Sequence, residues 1–282
     1  MQVAGNQDDM LPFALNHMTA PNLDWEAFAD LARDLGCVGV EYRNDLAGPL
    51  FQGADPAAVG AAVRARGLRF LALAEVKMFN DWSDAKAAEA EALMQIAVAA
   101  GAEAISLIPR NDGVATDRAA SRRVTETALR EILPMLRAHG LKAMVEPLGF
   151  AVCSLRYKDI LADVIDAVGG QGTYFMVHDT FHHHLAGGGP IFADLTGIVH
   201  VSGVVDPTVT VDDMRDPHRV LVDRHDRLGN VAQIVALRDA GYAGPISYEP
   251  FAPSVHALAD ARSALTQSMD FIRQGVSAHA AS

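Results

Sequence analysis

The chain alternates, from one end to the other, between short apolar runs and longer amphipathic stretches, and a glycine closes most of the latter. Strand-like runs are expected at Leu11–His17, Cys37–Tyr42, Leu68–Ala74, Ala104–Ile108, Leu141–Glu146, Thr173–Asp179, Gly197–Ser202 and Pro245–Glu249. Between them, helical spacing of apolar residues predicts helices at Asp24–Leu35, Asp55–Arg66, Ser83–Ala100, Ser121–His139, Tyr157–Val168 and Asn230–Ala240, with a last one at Val255–Ile272. Gly36, Gly67, Gly101, Gly140 and Gly241 sit where a residue comfortable at positive φ stops a helix. Only the sixth crossover lacks a long helical pattern, reading Gly187-Gly188-Gly189-Pro190 and then a short turn, Ile191–Leu195. Strict alternation of this kind predicts an α/β chain with a parallel sheet closed into a (β/α)8 TIM barrel, its sixth crossover short or irregular.

An open doubly wound sheet is the rival architecture, and it would advertise a glycine-rich phosphate turn after its first strand. Here that position reads His17-Met18-Thr19-Ala20-Pro21-Asn22. The glycine cluster at 187 to 189 lacks the lysine and hydroxyl residue of a nucleotide loop and reads as a flexible connection. Barrels of about 250 residues routinely form one domain, and no composition break divides this chain, so residues 1–282 are expected to be a single barrel domain. With 23 basic against 35 acidic residues, the formal charge of −12 argues against nucleic acid as a partner. Cys37 and Cys153 are isolated, so a disulfide has little support and a reducing cytoplasm fits. Met1 to Met10 lacks the pattern of a secretory signal, and no apolar run approaches the roughly 18 residues of a membrane span.

Catalytic residues of such barrels sit at the C-terminal strand ends. Polar residues collect there: Asn16 and His17 after the first strand, Glu41 and Arg43 after the second, Glu75 and Lys77 after the third, and Arg110 to Asp112 after the fourth. The last four strands end on Glu146, Asp179, His200 and Glu249. Ending a buried strand on a carboxylate costs desolvation unless a metal or a donor compensates. Singly each has a bland reading. Glu146 could cap a loop, Asp179 could be a turn residue, Glu249 could pair with Arg43 or Arg110, and His200 could be a hydrogen-bonded core residue. Together they suit one divalent ion, manganese, cobalt, magnesium or zinc, since three carboxylates and an imidazole include no soft ligand. A keto–enediol isomerase needs such a set, with a metal to polarise a carbonyl and hydroxyl pair and a carboxylate to move the adjacent proton.

The stretch Val145-Glu146, then Asp179-Thr180-Phe181-His182-His183-His184-Leu185-Ala186-Gly187, His200 and Tyr248-Glu249-Pro250-Phe251 resembles the xylose-isomerase-like barrels of the sugar phosphate isomerase/epimerase superfamily. Within it the chain looks most like the inosose (2-keto-myo-inositol) isomerases, and the likeness extends to Leu15-Asn16, Val40 to Arg43, Leu71 to Leu73 and Phe79 to Asp81. The resemblance implies one divalent metal on Glu146, Asp179, His200 and Glu249, with Glu146 and Glu249 also the acid–base pair. It further implies a small polyhydroxy ketone as substrate, inosose by preference, isomerised or epimerised by proton transfer through a metal-bound enediolate. His182 matches a substrate contact and Arg219 an arginine of the loop after the seventh strand; Lys77 and Asn16 are further substrate-binding candidates. His183 and His184 read as loop residues.

Two departures bear on the substrate. Ser202-Gly203 stands where inosose isomerases tend to carry an acid, with Asp206 the nearest, and Val222-Asp223-Arg224-His225 replaces a proline–glycine turn, leaving Arg215, Arg224 and Arg227 as rivals of Arg219. A sugar or inositol-derivative dehydratase on the same scaffold is the alternative reading, followed by an endonuclease-like hydrolase and a non-catalytic binding protein. A homo-oligomer through Trp25 or Trp82 stays open, although ordinary packing of both tryptophans on neighbouring helices is the better expectation.

Overall fold

Eight parallel strands pair in chain order and close on themselves: β1 (Phe13–Asn16), β2 (Gly39–Arg43), β3 (Arg69–Lys77), β4 (Ala104–Ile108), β5 (Lys142–Val145), β6 (Tyr174–Asp179), β7 (Thr196–Val201) and β8 (Ile246–Tyr248). The computed structural model describes residues 11–280, and the expectation for Met1 to Met10 lies outside them. Around the barrel run α1 (Trp25–Asp34), α2 (Pro56–Ala65), α3 (Asp84–Ala100), α4 (Arg118–His139), α5 (Lys158–Ala167), α6 (Thr180–Leu185), α7 (Asn230–Asp239), α8 (Pro253–His256) and α9 (Ala261–Ala280). Four of the longer helices begin on a side chain that accepts a first-turn amide: Asp24, Asp55, Ser83 and Asp117. The five glycines expected to stop helices have φ from 66° to 95°.

Two expectations change. The sixth crossover is short but carries a helix, α6, so His182, His183 and His184 are helical rather than loop residues. Asp179 itself caps α6, its Oδ1 accepting the His182 amide at 3.0 Å, which is why so short a helix starts there. The last helix is broken, with Ala257 to Asp260 between α8 and α9. In addition, β3 runs three residues past its expected end at Ala74, to Lys77, which places Glu75 inside the strand.

Because strand side chains alternate, each strand offers one face to the helices and one to the barrel interior. Phe13, Leu15, Val40, Tyr42, Val199, Val201 and Tyr248 belong to the core between strands and helices. Ala14, Ala72, Ala104, Met144, Val177 and Ile198 form a separate small cluster that fills the barrel interior. The next inward positions along β5, β6 and β7 are Glu146, Asp179 and His200. Pairing places Asp179 beside His200 and His200 beside Ser247. Register alone therefore stacks the polar residues in one layer on an apolar floor.

Cys37 and Cys153 are both free and buried. Trp25 and Trp82 are partly buried against the core. Among the described residues no helix is long and apolar enough to cross a membrane.

Candidate metal centre

Ligand atoms of Glu146, Asp179, His200 and Glu249 lie within 4.8 Å of one another, and all four residues are buried. Two of these atoms, Glu146 Oε1 and His200 Nδ1, have no hydrogen-bond partner. Buried polar atoms are seldom left so, because each forfeits its hydration. A divalent cation coordinated by them would remove that penalty, so the donor set fits the group.

The remaining hydrogen bonds hold the four side chains in place. His200 Nε2 lies 3.2 Å from both carboxylate oxygens of Glu41, which also accepts from Ser247 Oγ at 2.6 Å. With Nε2 so engaged, Nδ1 is the nitrogen turned toward Glu249 Oε2 at 3.2 Å and Glu146 Oε1 at 3.7 Å. Arg219 Nη2 donates to Asp179 Oδ2 at 2.6 Å and to Glu249 Oε2 at 3.0 Å, while Arg43 Nη1 donates to Glu249 Oε1 at 2.7 Å. Arg219 is 1% exposed and packs against the rings of Phe251 and Phe181 at 4.5 and 5.0 Å. The pairing of Glu249 with Arg43 is therefore real and coexists with the cluster; Arg110 instead pairs with Asp81 and Asp112.

Four buried carboxylates, Glu41, Glu146, Asp179 and Glu249, face two guanidiniums, which leaves excess negative charge. Protons on the remaining groups respond to it. Burial pushes Glu146 up to about 7, against the opposing pull of His200. Burial opposes charge on His200 as well, yet Glu249, Glu41 and Glu146 hold it well above the ordinary histidine range. Glu249 goes the other way: burial would raise it, but His200, Arg219 and Arg43 keep it well below the usual carboxylate range.

A cavity of about 360 Å³ opens above the cluster. Glu146, Glu249, His182, Arg219 and Lys77 line it, with Phe150 and Phe251 as apolar walls. Asn16 does not: its side chain accepts the Met18 amide at 3.0 Å. His182 is 4% exposed, stacked edge-on against Phe150, and its Nδ1 has no partner. Lys77 is exposed at the cavity mouth. Arg215 and Arg227 are tied to loop carbonyls and Arg224 is exposed beside α7 and α9, which leaves Arg219 as the arginine of this loop that reaches the cluster. Ser202, standing where an acid was expected, accepts from Arg219 Nε at 3.0 Å, while Asp206 caps its own turn at Thr208. Glu41 reads from the sequence only as a polar strand end; its partner His200 is 159 residues away along the chain, a separation no local pattern reports.

The fold is a closed (β/α)8 barrel whose strand ends gather a buried cluster that could hold a metal ion, and residues 29–275 match the model of the xylose isomerase-like TIM barrels; the chain belongs to that family. No curated protein is significantly similar in sequence. Among solved structures, a xylose isomerase domain containing protein from Salmonella typhimurium LT2 is 28% identical, with a TM-score of 0.84 over 98% of this chain and 99% of the other. The IolI protein with a bound zinc atom is 18% identical, with a TM-score of 0.84 over 95% and 99%. D-psicose 3-epimerase from Clostridium cellulolyticum H10, solved with D-tagatose, is 15% identical, with a TM-score of 0.72 over 94% and 99%.

Proposed function

We propose that the protein is a divalent-metal-dependent isomerase or epimerase of a small, neutral polyhydroxy ketone, with inosose the preferred candidate. One observation carries the assignment of roles. Of the four clustered residues, Glu146 and Glu249 line the cavity and Asp179 and His200 do not. Asp179 and His200 would thus hold an ion without facing the cavity, while Glu146 and Glu249 would both reach it and face a bound substrate. The bound zinc of the IolI protein and the ketose of the psicose epimerase support this reading.

Bound there, the ion would polarise the carbonyl and adjacent hydroxyl of the substrate. Glu249, kept ionised by Arg219 and Arg43, is placed to remove the proton from the neighbouring carbon. Glu146, the other carboxylate that lines the cavity, would be its acid–base partner and exchange a proton with the substrate through the oxygen not turned to the ion. His182 would hold a hydroxyl group, and the walls of Phe150 and Phe251 exclude water from the reacting carbon. Neutral substrates are favoured because Arg43 and Arg219 are already spent on Glu249, Asp45 and Asp179, while Asp45, Asp112 and Asp216 ring the mouth.

Incubating a panel of inososes and ketoses with manganese, cobalt or zinc in deuterated water tests this. The expected result is deuterium at the carbon beside the carbonyl in at least one substrate, with the isomer appearing as product. Loss of water to a diketone would instead indicate the dehydratase, and a purified protein that neither holds nor responds to divalent metal would sink both.

A further inference from the structure

A second cavity, about 320 Å³, lies between α5, α6 and the Gly187-Gly188-Gly189-Pro190 segment, with His182 as the wall it shares with the first. Its charge is opposite to that of the chain as a whole. Arg118, Arg156 and Lys158 line it against a single carboxylate, Asp159, and Asp159 is already bonded to Arg118. Arg156 gives one Nη2 hydrogen to the Leu185 carbonyl at 2.8 Å, but its Nε is buried with no partner, and it pairs with no carboxylate. Lys158 pairs with none either. Its Nζ lies 2.8 Å from His178 Nδ1 and 3.2 Å from His183 Nδ1. Burial keeps both imidazoles neutral, so the amine donates to each of them and a third hydrogen is left over. Tyr157, at the head of the ten-residue α5, supplies no side-chain cap, so first-turn amides of that helix also lack a partner. Finally, His182, 4% exposed, has an orphaned Nδ1 in the shared wall.

We propose that this cavity is an oxyanion site, taking a phosphate monoester or a carboxylate between the Lys158 ammonium, the Arg156 guanidinium and the head of α5. Donors without acceptors gather at Arg156, Lys158 and the head of α5, and an oxyanion has the acceptors to satisfy several at once. The glycines contribute shape rather than donors, since the Gly187 and Gly188 amides are bonded to the His184 and His183 carbonyls. Such an anion would also offset the burial that pulls Lys158 down to about 7. The donors of this cavity are in place whatever reaction the metal centre performs.

Calorimetric titration with inorganic phosphate tests it. The expected result is one saturable site, weakened at least about tenfold, or about 1.4 kcal/mol, in both Lys158→Met and Arg156→Gln. Thermal melts of both variants check that they fold; should the buried Lys158→Met fail to, Arg156→Gln and the rim variant Arg118→Gln carry the comparison. Absence of saturable binding would overturn the proposal. So would binding that survives in Arg156→Gln but disappears in Glu249→Ala, because the phosphate would then sit on the metal centre, which Glu249 lines without touching the second cavity. A ketose phosphate run in parallel identifies the source: tighter binding than phosphate, weakened by Arg156→Gln and by Glu249→Ala, means an anion tethered to a ligand that passes His182, and equal binding weakened by Arg156→Gln alone means a free anion.

Discussion

Metal binding at the Glu146, Asp179, His200 and Glu249 cluster should release protons, and the number should change with pH. In the metal-free protein, burial pushes Glu146 up to about 7, so the carboxyl is mostly protonated below neutrality. His200 remains an imidazolium well above its ordinary range, because Glu249, Glu41 and Glu146 outweigh the cost of burying its charge. A divalent ion needs both groups deprotonated. At about pH 6, roughly two protons must leave per ion bound; at about pH 8 Glu146 is already ionised and only about one leaves. Each released proton steepens the affinity by about tenfold per pH unit, or about 1.4 kcal/mol, so apparent affinity should rise about a hundredfold between about pH 5 and pH 6 and more shallowly beyond neutrality. Calorimetry with manganese or zinc in buffers of different ionisation enthalpy counts the protons directly. Glu146→Gln should lower the count at about pH 6 by roughly one and leave it nearly unchanged at about pH 8. Heats that do not depend on the buffer, with an affinity flat across the range, would refute the picture of two protons standing in for the ion.

The same residues yield three more expectations. Glu146 titrates in the fold near about 7 against an ordinary 4.5, so the metal-free fold loses stability as pH rises between those values. Glu146→Gln should then stabilise the metal-free fold at about pH 8 by on the order of 3 kcal/mol, read as a higher melting temperature there, with no gain at about pH 4; an equal gain at both would assign the effect to packing. Glu41→Gln weakens the anchor on His200 Nε2, and about a 10–100-fold loss of metal affinity is expected in competition with a chelator. Unchanged affinity would show that packing alone orients the ring. Glu249→Gln should abolish deuterium exchange while part of the metal is retained, whereas Asp179→Ala should lose metal first, since Asp179 does not face the cavity. Exchange at a near-normal rate in Glu249→Gln would reverse the acid–base assignment.

The barrel was legible because its grammar is local. Apolar runs of strand length, capping aspartates and closing glycines each act within a few residues, and the five stop glycines do adopt positive φ. The cluster was legible for a related reason: in a strand buried on both faces a terminal carboxylate is costly, so four polar endings in a row were conspicuous before their positions were known. What stayed hidden is what depends on distance across the barrel. Asn16 stands at a strand end like the others, yet its side chain turns back to the Met18 amide, and nothing in Leu15-Asn16-His17 distinguishes that turn from a substrate contact. Arg43 reads as one of two possible partners of Glu249 and Arg219 as one of several loop arginines, and only closure of the barrel brings both onto Glu249. Lys158 is the extreme case. At the head of an amphipathic helix a lysine reads as a solvated residue, and its burial follows from where α6 lays His183 against His178, with ring centroids 4.7 Å apart. The α6 helix in turn exists because Asp179 caps it. One aspartate at the end of β6 thus presents an oxygen to the metal cluster and starts the helix that builds the neighbouring cavity, which couples two sites that the sequence shows as unrelated letters.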